Sequence, residues 1–234
     1  MTRLKEFLFK YKHAIIILYM PIYLLWFTSL EKRTNVHFTD IHCKIDDYIP
    51  FCEFFIIPYL LWFLYVAVSL VYLFFQTKHL DDFYRCCAVL LLGMTTSLLI
   101  YTIFPNQQTM RPKTFDHSNI FTTIIDILYR TDTDTNVFPS IHVFNSIAIH
   151  FGISRSYYLR NVDDVNIVKN DKKRKAIKII RLSSLILCIL ICISTLTLKQ
   201  HSFLDLVGGC VLFAFYYTIV YIRPFRQTKL STDC

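Results

Sequence analysis

The chain has 234 residues, 54% apolar and 16% aromatic, with 4 glycines and a formal net charge of +8. That apolar share exceeds what one soluble core of this size contains, which excludes an ordinary soluble domain and points to a protein built within a bilayer. The basic surplus therefore has to be read against a membrane before any nucleic-acid partner is considered.

A hydrocarbon layer of about 30 Å needs roughly 20 helical residues. Six stretches meet that need once tilt or short polar ends are allowed, near 13–30, 49–76, 84–104, 138–155, 178–198 and 203–222. The first, AIIILYMPIYLLWF, follows Arg3, Lys5, Lys10 and Lys12 as a secretory signal would. It is followed by Ser29-Leu30-Glu31-Lys32-Arg33 with no small-residue cleavage site, so it is expected to remain as a span. The second and third carry LLWFLYVAVSLVYLFF and CCAVLLLGMTTSLLIYTIF, both free of charge.

After the third span comes IFPNQQTMRP, with Arg111 as a fixed planar fork of donors suited to phosphate oxygens or to a headgroup. In SNIFTTIIDILYR, Ile120, Ile124, Ile127 and Leu128 recur at helical spacing behind a Ser-Asn start. This predicts a helix over 118–130, lying on the membrane surface or covering the bundle. The fourth span opens with FPSIHVFNS, where Pro139 suits a first helical turn and Ser140 sits at the amide-rich, positive end of the helix dipole. His142 lies one turn in. His150, eight residues further on, is expected to bond a neighbouring helix.

The loop KNDKKRK precedes the fifth span, and LKQHSFLD separates the fifth from the sixth. His201 and Asp205 stand four apart, so a carboxylate can fix the imidazole tautomer and leave the second ring nitrogen as nucleophile or base. Of the 25 lysines and arginines, 18 fall in the N-terminal tail, the loop after span two, the segment 155–181 and the C-terminal tail. The positive-inside rule then puts both termini and KNDKKRK in the cytoplasm, and Arg111, Ser140, His142, Lys199, His201 and Asp205 on the outer face. No internal repeat or soluble domain is evident, and no cysteine spacing resembles a metal site; Cys43 and Cys52 fall on or near the outer side, where a pairing is open to them.

These groups together resemble the type 2 phosphatidate phosphatase superfamily of membrane lipid phosphatases, whose pattern is K-x6-RP, PSGH and SR-x5-H-x3-D over six helices. Here the pattern reads Arg111-Pro112, Pro139-Ser140-Ile141-His142, and Ser194-Thr195 followed by His201 and Asp205. Phe104, Ile141 and Thr195 occupy the lysine, glycine and arginine positions, so two expected cations are absent.

The resemblance implies an all-α, six-span membrane bundle forming one domain, and a metal-independent phosphatase that uses no cofactor. In it His201, oriented by Asp205, attacks phosphorus, His142 serves the leaving group and then water, and Arg111 and Ser140 hold the phosphate oxygens. Lys199, one helical turn beyond Thr195, is expected to replace the missing guanidinium. The expected substrate is a lipid phosphate monoester or pyrophosphate met at the outer face of the cell membrane, with no nucleic-acid partner. A lipid phosphotransferase of the sphingomyelin or inositol phosphorylceramide synthase type, and a non-catalytic lipid-phosphate binding protein, remain alternatives.

Overall fold

The computed structural model describes residues 11–222; the basic residues of the two tails, Arg3, Lys5, Lys10, Arg223, Arg226 and Lys229, lie outside that range. A 3-10 segment, Lys12–Leu18, runs into α1, Tyr19–Glu31. A two-residue strand β1, Thr39–Asp40, and a short helix α2, Lys44–Tyr48, lead through one 3-10 turn into α3, Ile56–Phe75. Then come α4, Leu80–Ile103, strand β2, Asn106–Gln107, and α5, Ile120–Thr131. The chain finishes with α6, Ile141–Arg155, a single turn α7, Tyr157–Arg160, then α8, Asp171–Thr197, and α9, Phe203–Tyr217, which a π-helical turn continues to Ile222.

The expected helical membrane bundle is present, and five of its helices are long and apolar enough to cross a membrane. The fourth expected span, α6, is only 15 residues, about 22 Å at 1.5 Å per residue. It nevertheless runs the length of the bundle antiparallel to α4. At one end the Tyr101 hydroxyl donates to the Pro139 carbonyl at 2.7 Å, and at the other the Tyr157 amide donates to the Asp82 carboxylate at 2.7 Å. Its polar residues are explained by its place, because α6 packs against α3, α4, α8 and α9 and most of its side chains are buried.

Close packing around α6 depends on a small residue in α4. A Cβ at Gly93 would stand 1.8 Å from the ring of Phe144, so no larger residue fits there without moving a helix. Lower down, His150 Nδ1 lies 3.0 Å from the Ser184 hydroxyl, which is 2.7 Å from that of Tyr65. These contacts link α6, α8 and α3 through polar groups, where lipid offers no alternative partner. His150 is thus bonded to a neighbouring helix, as expected.

Helix α8 starts seven residues before the predicted span because Asn170 caps it, accepting from the Lys172 and Lys173 amides at 2.8 and 3.2 Å. The surface helix is also present, as α5, with Asn119 Oδ1 accepting from the Phe121 and Thr122 amides. Its buried side is made by Ile125 with Phe121, Ile124, Leu128 and Tyr129, whereas Ile120 and Ile127 are exposed. Cys43 and Cys52 are both free thiols.

The ends of α1, α4 and α8 and the starts of α3, α6 and α9 gather at one end of the bundle. Several crosslinks hold them there. β1 pairs in parallel with β2, the Cys52 amide donates to the Thr197 carbonyl at 3.1 Å, and Arg33 donates to the Tyr101 carbonyl at 2.7 Å. All six residues picked out as a site lie at this end.

Candidate active site

The start of α6 is built around one buried side chain. Asn106 is fully buried, and its Oδ1 accepts from the Val137 and Phe138 amides at 2.8 Å each while its Nδ2 donates to the Phe104 carbonyl at 2.8 Å. This fastens the strand-like approach to Pro139. Ser140, rather than the proline, is the N-cap, and its hydroxyl accepts from the Val143 amide at 3.3 Å. Ile141 occupies the position where the superfamily pattern has glycine. Its side chain turns away from the site into a cluster with Tyr23, Leu30, Met94 and Tyr101, which explains why a large residue fits.

The end of α8 sets the position of His201. The Lys199 amide donates to the Leu196 carbonyl and the Gln200 amide to the Thr195 carbonyl, both at 3.0 Å, which is a Schellman ending. The His201 amide also bonds the Thr195 carbonyl at 3.0 Å. Such an ending needs a left-handed residue, and Lys199 supplies it with φ 52° where glycine is the usual choice. The Thr195 hydroxyl bonds its own helix at the Cys192 carbonyl and takes no part in the site.

Three of the predicted residues come together as expected from their spacing. His201 Nδ1 lies 3.2 Å from Asp205 Oδ2, and Asp205 is fully buried. An ionised carboxylate only accepts, so this bond places the proton on Nδ1 and leaves a lone pair on Nε2. That Nε2 faces His142 Nδ1 at 3.4 Å. His142 is wedged against Trp62 and Tyr59, with ring centroids 4.5 and 4.9 Å away. Ser140 joins the group through its amide, which donates to the Asp205 carbonyl at 3.1 Å.

The helix starts that carry the histidines are held in contact by Gly209. A Cβ there would meet the Ser140 carbonyl oxygen at 2.9 Å, and backbone cannot yield as a flexible side chain can. Gly209→Ala is expected to push α9 from α6, separating His201 from His142 and lowering turnover on the order of 10- to 100-fold. Phosphate-release rates of the folded variant are the check; a wild-type rate would show that the two histidines do not need this spacing.

The two predicted cations are placed differently. Arg111 Nη1 donates to the Tyr129 and Asp132 carbonyls at 3.2 and 2.8 Å, and Nη2 donates to the Thr133 carbonyl at 2.8 Å and to Gln200 Oε1. Its guanidinium, which also lies over the Tyr129 ring, is therefore the C-terminal cap of α5, where a cation is favoured by the helix dipole. Through Gln200 it still touches the residue next to His201. Only its Nε, buried and without a partner among the described residues, is uncommitted.

Lys199 does not reach towards the histidines. Its ammonium donates to the Asp46 and Ile49 carbonyls at 2.8 and 2.6 Å, clasping the segment between β1 and α3. The expectation that it replaces the missing arginine is corrected by the helix ending, which turns the side chain away at the left-handed residue. Lys199→Met is expected to cost about 1–3 kcal/mol of stability, from two carbonyls losing a charged donor, and to leave KM within about threefold. Thermal unfolding in detergent and KM for a lipid phosphate test this; a stable variant with a greatly raised KM would return Lys199 to the phosphate.

Sequence reasoning passed over Asp46, Gln200, Asn106 and Asp132. Asp46 is 3% exposed, and its carboxylate accepts from the Ser202 hydroxyl at 2.6 Å, the Phe203 amide at 2.7 Å and the Cys43 amide at 2.8 Å. Burial works to raise its pKa, but these hydrogen bonds outweigh it and hold the carboxyl below its ordinary value. Asp132 accepts from the Tyr59 hydroxyl at 3.2 Å, and burial pushes its carboxyl up against the opposing pull of Arg111 and His201. A Cys-x-x-Asp helix start at 43–46 is the one local signal that marks Asp46, and nothing local connects it to residue 202.

A family model, the PAP2 superfamily, matches residues 86–229, which is more than half of the chain and contains every residue of the histidine cluster. Members of that superfamily are generally phosphatases. No curated protein and no solved structure matches the chain.

Proposed function

Because the chain belongs to the PAP2 superfamily, we propose that it acts on a lipid phosphate through a phosphohistidine formed on His201. The observation that carries this reading is the His201–Asp205 pair, with its free nitrogen turned to His142. In the first step the Nε2 lone pair forms a bond to phosphorus as the bond from phosphorus to the lipid oxygen breaks, and His142 gives that oxygen a proton. In the second, His142 takes a proton from water, the water oxygen bonds to phosphorus, and the nitrogen leaves. The direct contact between the imidazoles lies where the phosphoryl group must sit, so substrate entry parts them. Asp205 stabilises the phosphorylated imidazolium of His201 that the first step generates and the second discharges.

Non-bridging oxygens would be met by the Ser140 hydroxyl and by the amides of Ile141 and His142 in the first turn of α6, at the positive end of its dipole. With Phe104 and Thr195 in place of cations, and with Arg111 and Lys199 engaged by carbonyls, this cradle is poor in fixed charge. That supports a second reading within the same chemistry. A phosphodiester brings one negative charge where a monoester brings nearly two, so transfer from a diester to an alcohol lipid suits the cradle better than monoester hydrolysis.

The distribution of basic residues supports a site facing away from the cytoplasm of the cell membrane, with both termini inside. Cysteine labelling of intact cells is expected to reach 106–136 and to miss 161–170; the reverse pattern would overturn this orientation. The function itself is tested by giving purified protein a panel of lipid phosphates and phosphodiesters, with and without an alcohol lipid, in a strong chelator. Phosphate release, or transfer to the alcohol, is the expected result, with an acid-labile, base-stable phosphoprotein in rapidly quenched samples. Binding of these lipids with neither turnover nor phosphoprotein would leave a lipid-binding protein in place of an enzyme.

A further inference from the structure

The opposite end of the bundle holds a second, independent concentration of charge. The start of α4, the end of α6, the turn α7 and the last turns after α9 enclose a cavity of about 200 Å³ lined by Asp82, Arg85, Arg155, Arg160, Tyr217 and Tyr221. Arg155 lies thirteen residues beyond His142 on α6, about 20 Å along the helix, so the cavity is separate from the histidine cluster. We propose that this cavity is a binding site for a phosphate-bearing anion, such as the headgroup of an anionic lipid on that side of the membrane or a free phosphate. The inference does not rest on the proposed chemistry.

Three features point to an anion. Three arginines line one cavity with, among the described residues, a single carboxylate, and the surplus of two positive charges matches a phosphate monoester. Among the described residues none of the three arginines pairs with a carboxylate at salt-bridge distance. Asp82 is already partly committed, through its bond from the Tyr157 amide. All three arginines are exposed, yet they line one cavity, so a single bound anion there would offset the repulsion among them.

The third feature is Tyr221, which lines the cavity and whose hydroxyl is buried and, among the described residues, has no hydrogen-bond partner. A buried hydroxyl without a partner is costly, and a phosphate oxygen in the cavity would accept its proton. The stem of the site is also preformed, with the Arg155 guanidinium 5.8 Å from the centre of the Tyr217 ring. Binding would join α4, α6, α7 and the end of α9, all of which meet at this end.

The test is equilibrium titration of the full-length protein, with its unfolding temperature followed in parallel. The probes are inorganic phosphate in detergent and a lipid phosphonate, whose phosphorus–carbon bond is not hydrolysed, in nanodiscs of zwitterionic lipid. Saturable binding is expected, with a raised unfolding temperature, weakened roughly 100-fold or more by Arg155→Gln with Arg160→Gln. Tyr221→Phe should weaken it several-fold and Arg155→Lys about 10-fold, since each removes donors while keeping bulk or charge. These milder variants decide the matter if the double variant does not fold. A response that these variants weaken belongs to the cavity, whereas one they leave unchanged belongs to the histidine cluster; a weakened response to the phosphonate alone assigns the cavity to a lipid headgroup, and a weakened response to phosphate assigns it to a soluble ligand as well. Absence of binding of both probes by the wild type, or binding unchanged in every one of these variants, overturns the proposal.

Discussion

Replacing His201 by alanine is expected to bring turnover to background, a fall of about 10⁴-fold or more, and to abolish the phosphoprotein. The geometry also sets the order of the neighbouring variants. Asp205 Oδ2 accepts from both His201 Nδ1 and the Ser202 amide, at 3.2 and 2.9 Å, whereas Oδ1 has no partner among the described residues. An asparagine can put its oxygen in the Oδ2 position and its amide group in the Oδ1 position, keeping the tautomer and the loop while losing the charge. Asp205→Asn is therefore expected to cost about 10²-fold in kcat, and Asp205→Ala, which also frees the imidazole, a further order of magnitude. His142→Ala should slow the release of poor leaving groups far more than that of a lipid analogue with an acidic leaving group, because only the former need a proton. Measured rates with such a pair of substrates separate the two histidines. Equal effects of His142→Ala on both would remove it from the role of acid, and full activity of His201→Ala would remove the phosphohistidine altogether.

The second large effect is expected at Asp46, a residue about 155 positions away from the loop it holds. Its carboxylate binds the amide of Phe203 and the hydroxyl of Ser202, the two residues that follow His201. Asp46→Ala leaves three donors without their charged acceptor, and at 1.5–3 kcal/mol for such a bond the expected loss of stability is about 3 kcal/mol or more. Turnover is expected to fall with it, on the order of 10²-fold, because the start of α9 carries both His201 and Asp205 into place. Since the folded pKa is lowered, the stabilisation is present above the unfolded carboxyl value of about 3.9 and is lost as pH falls through the lower, folded value. Unfolding followed against pH should show this contribution flat near neutrality and lost only in acid, with that part of the acid limb missing in the alanine variant. An Asp46→Ala protein as stable and active as wild type would show that Lys199 and the Cys52 amide alone hold this segment.

Hydrophobic length and periodicity were enough to locate the helices, because a bilayer imposes the same thickness on each span and leaves little choice of secondary structure. The polar fourth segment is helical as expected, and its polarity finds its reason in three dimensions: α6 is surrounded by four other helices, and its histidines, serines and asparagine face protein. The pair His201 and Asp205 was legible because four residues is one helical turn, and the superfamily pattern brought His142 and Ser140 beside them.

What the sequence could not decide was where the cations go. Arg111 and Lys199 were visible as charges near a phosphate motif, yet each is attached in the structure to carbonyl oxygens, Arg111 at the end of α5 and Lys199 on the segment 46–49. Chain order does not reveal which carbonyls a helix end or a bend will leave unpaired, and buried carbonyls must find donors. The same physics explains Asp46 and Asn106, whose partners are distant in sequence and whose importance comes from satisfying buried amides. The sequence by itself determined the apolar helices and the pairing of His201 with Asp205, since these rest on local spacing. Only the tertiary structure decided which charges remain available at the site, because that depends on the long-range pairing of every buried polar group around it.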